Sequence, residues 1–270
     1  MKISVIVPTY KPQGYIWECL DSIKNQTFPR EQYELILVLN GCNEPYHSHI
    51  KNYISQNLVG YNVIFIQTDI GGVSNARNIA LDTARGEYIT FLDDDDYISP
   101  LYLEELYQKA TPNIVSLCYP YAFNDGAPEI QLTYGLTTVY EECHKRTNNT
   151  INSKVRKYFS GPCMKLFHKD IIGDRRFDIR FKNGEDSLFM FLISDRIHHL
   201  VFTSQRTIYY RRYREGSAIM KKRTLLQKIK NTSKIIKEEI KIYWSNTKAY
   251  SLKFLWTRIL GSIKSIFFAN

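Results

Sequence analysis

The feature that most limits the fold of this chain is the alternation of short apolar runs with helical patterns over its first hundred residues. The runs ISVIVPTY (3–10) and YELILVLN (33–40) are rich in β-branched and aliphatic residues and end in polar or turn-forming ones. Between them, Ile16, Leu20 and Ile23 recur at helical spacing. This strand–helix–strand order predicts an α/β domain that begins with a parallel sheet.

The same order continues to about residue 100. YNVIFIQT (61–68) predicts a third strand, 71–87 a glycine-rich turn and a helix, and YITFL (88–92) a fourth strand. Four aspartates, 93–96, follow that strand directly. Ligands of open α/β sheets bind beyond the carboxyl ends of the strands, so we expect 93–96 to share one cleft with the end of the first strand, 8–10.

The four consecutive aspartates repel one another unless a cation or a hydrogen-bonding ligand compensates their charge. If the strand pleat continues, Asp93 and Asp95 point the same way and can bind one divalent cation, Mg²⁺ or Mn²⁺. A solvated acidic loop is the alternative, and the four residues by themselves leave both interpretations open.

Beyond residue 111 the pattern is less regular. NIVSLCYPYAF (113–123) predicts a strand, the polar and turn-rich stretch 124–155 a loop over the cleft, and 200–213 a late strand. A helix is expected to begin near Asp186.

Several protein classes are disfavoured by what the sequence lacks. The five cysteines show no CxxC spacing, which argues against a disulfide framework and a zinc site and favours a reducing, cytoplasmic compartment. The chain contains neither GxGxxG nor GxxxxGK[ST], so neither a dinucleotide-binding fold nor a P-loop is supported. No signal peptide and no membrane-spanning helix is expected.

Positive charge is concentrated in the last fifty residues. Residues 221–270 contain twelve Lys or Arg and two Glu, whereas residues 1–220 contain 24 basic and 25 acidic residues. At helical spacing, five apolar residues fall on one stripe beside lysines: Leu225, Ile229, Ile236, Ile240 and Tyr243. Further along the chain, Trp256 adds an aromatic residue. A basic amphipathic helix suits an anionic membrane surface. Packing against the domain is the alternative, and nucleic-acid binding is disfavoured because no recognised module accompanies the charge.

Four blocks together resemble the inverting glycosyltransferases of family 2: 3–28, 72–100, 163–172 and 176–189. The resemblance covers residues 1 to about 217. It implies a GT-A fold, with a Rossmann-like, mostly parallel central sheet flanked by helices. The catalytic domain is then 1–217, with a nucleotide-binding half at about 1–110 and an acceptor half at about 111–217. Residues 218–270 are expected to form a C-terminal helical extension, the basic amphipathic tail.

The resemblance also implies roles on the donor side. Asp93-x-Asp95 matches the Asp-x-Asp motif, which implies that Asp95 binds Mn²⁺ or Mg²⁺ and that Asp93 binds the metal or the ribose. Other residues are implied to contact the nucleotide sugar: Pro8, Thr9, Tyr10, Arg77, Asp94, Arg211 and Arg212. For Arg77, a structural ion pair with an aspartate is the alternative.

On the acceptor side, Glu185 and Asp186 match the family's Glu-Asp pair before a helix. The resemblance implies that Asp186 is the general base, which takes the proton of the acceptor hydroxyl, and that Glu185 supports the acceptor or orients the base. Capping of the helix is the alternative role for Asp186.

One position departs from the family pattern. Where relatives have an acidic pair that recognises uracil, this chain has Leu39 and Asn40. An asparagine still offers an acceptor for the uracil N3–H group and a donor for a carbonyl, so Asn40 is a candidate for base recognition.

The sequence and the resemblance together predict an enzyme that transfers a hexose with inversion from a nucleotide-diphosphate sugar. UDP-sugars are the expected donors, and a glycan or lipid-linked saccharide is the expected acceptor, in surface polysaccharide synthesis at the inner face of the cell membrane. The alternatives are a non-catalytic nucleotide-sugar-binding protein of the same fold and, less favoured, a nucleic-acid-binding protein. No nucleic-acid partner is expected.

Overall fold

The computed structural model describes residues 1–145, 149–216 and 224–268. The expected domain boundary at 217 and 218 lies outside the described residues. The strands are β1 (Ile3–Thr9), β2 (Tyr33–Asn40), β3 (Asn62–Thr68), β4 (Tyr88–Phe91), β5 (Tyr97–Ile98), β6 (Ile114–Leu117), β7 (Tyr119–Asn124), β8 (Lys165–His168), β9 (His199–Phe202) and β10 (Ile208–Tyr213). The helices are α1 (Tyr15–Lys24), α2 (Tyr46–Asn57), α3 (Val73–Thr83), α4 (Tyr102–Lys109), α5 (Gly135–Cys143), α6 (Lys169–Ile172), α7 (Glu185–Leu192), α8 (Leu225–Ser245) and α9 (Leu252–Phe268).

A central sheet has the strand order β3-β2-β1-β4-β8-β6-β9. Strand β1 pairs in parallel with β2 and β4, β2 pairs in parallel with β3, and β6 pairs in parallel with β9. Only β8 runs against its neighbours, β4 and β6. Both β1 and β2 are buried along their whole length, as expected for a parallel sheet with both faces covered. The mostly parallel α/β sheet predicted from the sequence is therefore confirmed.

A second sheet, β5-β10-β7, contacts the segment beyond β4, where the hydroxyl of Tyr209 in β10 donates to Asp96 at 2.7 Å. The runs 113–123 and 200–213, each expected to be one strand, are in fact two strands each. At Cys118 and at 203–207 the chain leaves the central sheet and enters the small one, and the Tyr119 amide donates to the Thr207 carbonyl at 2.8 Å where the two segments cross over together. In 113–123 the apolar run continues through this change of sheet and does not mark it, whereas in 200–213 the polar residues 203–207 interrupt the run where the first strand ends.

The stretch 124–155, expected to be a loop, contains the helix α5. Its residues Val139, Tyr140 and Cys143 are buried, and the Tyr140 hydroxyl donates to the Thr203 carbonyl at 2.6 Å. The loop prediction was wrong for these residues. The polar residues of α5 lie on its solvent side, and its apolar face is too short to give a clear helical pattern in the sequence.

The two tail helices, α8 and α9, pack against the rest of the molecule. Ile235 in α8 is buried, as are Phe254, Leu255 and Ile259 in α9. The Phe254 ring lies 6.1 Å from the ring of Phe159 and 5.9 Å from that of Phe191. Packing on the domain was one of the interpretations that the sequence left open. One face of each tail helix packs in this way.

Candidate active site

The aspartate run begins just beyond the carboxyl end of β4. The strand ends at Phe91, and the chain then turns so that the Asp96 amide donates to the Asp93 carbonyl at 3.1 Å. The strand pleat therefore does not continue through Asp93 and Asp95. Each of the four carboxylates instead has its own partners.

Arg77, in α3, is almost fully buried and lies between the carboxylates of Asp93 and Asp186. One of its guanidinium nitrogens bonds the Asp93 carboxylate at 2.8 Å, and the other bonds the carboxylate of Asp186. Burial disfavours the charged form of Arg77, but the attraction of Asp186 and Asp93 outweighs it and raises the pKa of Arg77 above its ordinary value. The ring of Phe177 packs against the guanidinium, with 5.3 Å from its central carbon to the ring centre.

Glu185 and Asp186 form the first turn of α7. The residue before them, Gly184, has a φ of 83°, a left-handed conformation that favours glycine, and no side chain caps the helix. The side chain of Asp186 is directed to Arg77 instead. Burial raises the pKa of Asp186 and Arg77 opposes that rise, so the carboxylate is a better proton acceptor than an ordinary exposed aspartate.

The other three aspartates of the run, Asp94, Asp95 and Asp96, have different partners. Asp94 accepts a hydrogen bond from the Thr9 hydroxyl at the end of β1, and Asp95 forms an ion pair with Arg214 at 2.8 Å. Asp96 is buried and accepts bonds from the Tyr209 hydroxyl at 2.7 Å and from a backbone amide of β10 at 2.8 Å. Asp96 therefore holds the second sheet against the aspartate turn.

The donor set at this turn fits a hard divalent cation. Burial is the main cause that raises the pKa of Asp94 to about 7, and the pKa values of Asp95 and Asp96 are raised in the same direction; repulsion among the aspartates adds to each shift. A cation would offset this unfavourable charge. In residues 1–145, 149–216 and 224–268, no three His, Cys, Asp or Glu side chains converge on a metal position. Asp93 and Asp95 would be the protein ligands, a small number that suits Mg²⁺ or Mn²⁺ bound largely through phosphate oxygens.

The residues expected to contact the nucleotide lie beside this turn. Pro8 and Thr9 are in the buried end of β1, and Tyr10 is exposed just beyond it. Asn40, at the end of β2, is buried; its amide donates to the Thr9 carbonyl at 2.7 Å and accepts from the Gly72 amide at 2.8 Å. These contacts fix the start of α3 relative to β1, and the role of Asn40 in base recognition stays a prediction.

The two arginines expected to contact the diphosphate point to different surroundings. Arg212 forms ion pairs with Glu18 at 2.7 Å and with Asp125 at 2.6 Å, which ties β10 to the α1 side of the molecule. Arg211 points the other way, stacks near Tyr134 and is attracted by Asp96 and Asp93. Arg212 also donates to the Asp95 carbonyl at 2.9 Å. Because three protein groups engage the Arg212 guanidinium, Arg211 is the better candidate of the two to meet a diphosphate beside the aspartate turn.

Tyr209 and Lys165 lie at the site, and the sequence assigned a role to neither of them. The buried hydroxyl of Tyr209 accepts from the Asp93 amide at 3.2 Å while it donates to Asp96. Lys165 is buried and donates to the carbonyls of Gly161 at 2.7 Å and Cys163 at 2.6 Å, and its burial lowers its pKa to about 8. Strand alternation in β10 gives a weak signal for an inward Tyr209, but no local pattern identifies its partners.

Comparison with known proteins places this geometry in a family. Glycosyltransferase GlyA of Streptococcus pneumoniae serotype 4 is 29% identical over 226 residues, which cover 80% of this chain and 31% of GlyA. Poly(ribitol-phosphate) beta-N-acetylglucosaminyltransferase TarS of Staphylococcus aureus strain MW2 is 28% identical over 223 residues, 80% of this chain and 36% of TarS. The chain thus spans about a third of the length of these curated relatives.

Solved structures share the fold. The crystal structure of S. aureus TarS 1-349 in complex with UDP-GlcNAc aligns with a TM-score of 0.75 at 23% identity, over 98% of this chain and 73% of that one. The mannosyltransferase PcManGT from Pyrobaculum calidifontis, in complex with GDP-Man and Mn²⁺, aligns with a TM-score of 0.63 at 17% identity, over 99% and 70%. These alignments confirm the predicted GT-A fold. The model of glycosyl transferase family 2 matches residues 4–175, more than half of the chain, and the chain therefore belongs to glycosyl transferase family 2.

Proposed function

We propose that this protein is an inverting glycosyltransferase that moves a hexose from a UDP-sugar to a glycan or lipid-linked saccharide of the cell surface. Membership of the family and the names of the relatives, several of which act in polymer glycosylation, support this proposal. The observation that carries it is the position of Arg77, which holds Asp93 on the donor side and Asp186 on the acceptor side with one guanidinium.

The reaction uses these groups as follows. Asp186 accepts the proton of the acceptor hydroxyl as its oxygen attacks the anomeric carbon from the face opposite the nucleotide. Asp93 and Asp95 would hold Mn²⁺ or Mg²⁺, and the bound cation would offset the negative charge of the leaving diphosphate. Arg211 adds a second positive charge near the same oxygens, and Glu185, buried in the first turn of α7, supports the acceptor or orients Asp186.

Arg77 is a positioning group in this proposal. Its carboxylate partners would otherwise repel one another across the cleft, and the buried guanidinium offsets this repulsion and holds them at a fixed separation. An ionised Asp186 is needed for proton transfer, and an ionised Asp93 is needed on the metal side.

The experiment combines binding with turnover. The protein is incubated with Mn²⁺ and UDP-GlcNAc, UDP-glucose or UDP-galactose, and the melting temperature is measured, since a ligand that binds only the native state raises it. The stabilising donor is then tested for transfer to poly(ribitol phosphate) and to undecaprenyl-diphosphate saccharides. Transfer with inverted anomeric configuration supports the proposal. Donor binding without transfer to any acceptor supports the non-catalytic alternative, and binding that needs nucleic acid and weakens steeply with salt supports the third one.

We also propose that the tail places the enzyme at an anionic membrane, at the cytoplasmic face. None of the described helices combines the length and hydropathy needed to cross a bilayer. The support is instead the outer face of α8, which exposes apolar side chains at helical spacing: Leu225, Leu226, Ile229, Ile240 and Trp244. Exposed lysines border this stripe: Lys230, Lys234, Lys237 and Lys241.

The helix α9 repeats the arrangement. It buries Phe254 and Leu255 against the domain and exposes a second stripe: Leu252, Trp256, Leu260 and Ile263. Lys253 and Lys264 lie beside this stripe. Apolar stripes bordered by lysines, with tryptophan among them, match the interface of an anionic bilayer, where a saccharide carried on a lipid would meet the cleft.

A further inference from the structure

A buried ion pair joins the two tail helices. Arg258 in α9 is 3% exposed and Glu239 in α8 is completely buried. The guanidinium bonds one carboxylate oxygen of Glu239 through two nitrogens, at 2.8 and 2.6 Å. The rings of Phe191 and Phe254 lie against it, each with its centre 5.5 Å from the central guanidinium carbon.

Arg258 also donates to two segments outside the tail, in part through Nη2, one of the two nitrogens that bond Glu239. One nitrogen donates to the Phe159 carbonyl at 3.1 Å, and another donates to both the carbonyl and the hydroxyl of Ser187. Ser187 directly follows Asp186 in the first turn of α7. Gly161 follows Phe159 by two residues, and a side-chain carbon at Gly161 would lie 3.9 Å from a carboxylate oxygen of Asp186.

Arg258 therefore fastens both segments that flank the Asp186 carboxylate. Tail packing alone would not require this arrangement, since apolar side chains of similar volume can replace a buried ion pair with little loss of stability. An arginine offers a rigid, planar set of donors that fixes the direction of each acceptor. Proton transfer by a general base requires heavy atoms within about 2.6–3.2 Å, so the direction of the Asp186 carboxylate matters more than its presence.

We propose that Arg258, oriented by Glu239, is a positioning residue for Asp186, so that the tail helices form part of the acceptor half of the active site. This inference rests on the proposed function, because it takes Asp186 to be the general base. It also assigns to the tail a task in the chemical step that is independent of any contact with a membrane.

A double-mutant cycle with Asp186 tests this inference in the full chain, with the donor and acceptor that the wild type uses. Arg258→Lys keeps the positive charge but loses the planar set of guanidinium donors. We expect the Asp186 carboxylate to be displaced as a result, and kcat to fall by about 10- to 100-fold. The KM of the donor is expected to change less than about threefold, because the donor contacts are remote from Arg258. In an Asp186→Asn background, Arg258→Lys is expected to cost less than about twofold, since residues that act as a unit are not additive.

Arg175→Lys is the matched control. Arg175 forms a half-buried ion pair with Asp195 beyond the other end of α7, so its substitution weakens the fold without touching the first turn. We expect it to lower the melting temperature and to leave kcat within about twofold. If Arg258→Lys does not fold, Glu239→Gln, which keeps the shape of the side chain, replaces it in the same cycle and is expected to lower kcat in the wild type alone.

Equal losses of kcat in the wild-type and Asp186→Asn backgrounds would overturn the inference, because they would show a general weakening of the fold. A wild type that binds UDP but transfers to no acceptor would overturn the proposed function instead, and the inference with it. The two failures are distinguishable because the first requires an active wild type.

Discussion

The guanidinium of Arg77 and the carboxylate of Asp186 form an ion pair although 109 residues separate them in the chain. This contact joins α3, which begins at the carboxyl edge of the central sheet, to the first turn of α7. The second nitrogen of Arg77 reaches Asp93, so the arginine sets the distance between the two carboxylates to which the proposed function gives donor and acceptor roles.

Arg77→Met should therefore weaken both the fold and the reaction. The variant leaves Asp93 and Asp186 partly buried without a counter-charge, and we expect unfolding to become about 1–3 kcal/mol easier, measured by urea denaturation. Arg180→Met is the control, because Arg180 is largely exposed and solvent screens its pair with Asp178, so we expect a much smaller change in stability. Equal stability of Arg77→Met and wild type would contradict this prediction.

Asp186→Asn should separate binding from transfer. The amide keeps the size of the side chain but cannot accept a proton, so we expect transfer to fall by about two to four decades while UDP affinity changes little. Initial rates and calorimetric titration with UDP measure the two quantities. Near-normal transfer in this variant would show that the base lies elsewhere, and Asp170→Asn, an exposed carboxylate, controls for the substitution itself.

Removal of the metal should weaken nucleotide binding. A divalent cation held by Asp95 would contribute several kcal/mol to the interaction with the diphosphate, so we expect chelation to reduce UDP affinity by at least about tenfold. Asp95→Asn should bind UDP with the same low affinity with and without Mn²⁺. Calorimetry in Mn²⁺ and in EDTA gives both values, and an affinity that chelation leaves unchanged in the wild type would exclude the metal role of Asp95.

Much of the first half of the molecule was predictable because its signals are local. The strands β1 to β4 are mostly apolar runs, and Asp93 follows β4 closely in the sequence. The rule that ligands bind at the carboxyl ends of strands made that position a candidate site. The partners of Arg77 and the four aspartates were not predictable individually, since the turn after Phe91 abolishes the expected alternation of side chains.

The second half depends on contacts between distant segments. Arg212 looked equivalent to Arg211 in the sequence, yet adjacent residues of a strand face opposite sides, and Arg212 is drawn to Glu18 and Asp125. The tail showed its amphipathic character in the sequence. Its buried pair, Glu239 and Arg258, could not be recognised there, because each residue also fits a solvated helical face.

Stability should depend on pH through Lys165. The pKa of its ammonium is about 8 in the folded protein, against 10.5 for an ordinary lysine. Between those two pH values the unfolded chain binds more protons than the folded one, so this group makes the protein more stable as the pH rises. We expect the free energy of unfolding of the wild type, relative to Lys165→Met, to increase by about 1–2 kcal/mol from pH 7.5 to 9.5. A difference that stays constant over this range, measured by urea denaturation, would contradict the lowered pKa.

Binding to anionic vesicles should depend on the exposed stripes of the tail. Each lysine near an anionic surface contributes about 1 kcal/mol, and burial of an exposed leucine adds about 1–2 kcal/mol. We expect the wild type to co-sediment with phosphatidylserine vesicles, to bind phosphatidylcholine vesicles weakly, and to be released by high salt, which screens surface charge. The double variant Leu226→Ser with Leu260→Ser should bind at least about tenfold more weakly.

The matched control for this variant is Val59→Ser with Ile130→Ser. These side chains are exposed to nearly the same extent, 73% and 58% against 76% and 62% for the two leucines, but they lie outside the tail. The control should bind vesicles like the wild type, because its apolar residues have no adjacent row of lysines. Equal weakening in the two double variants would mean that general surface hydrophobicity, and not the tail, drives the binding. Wild-type protein that remains in the supernatant with phosphatidylserine vesicles at low salt would exclude the membrane contact altogether.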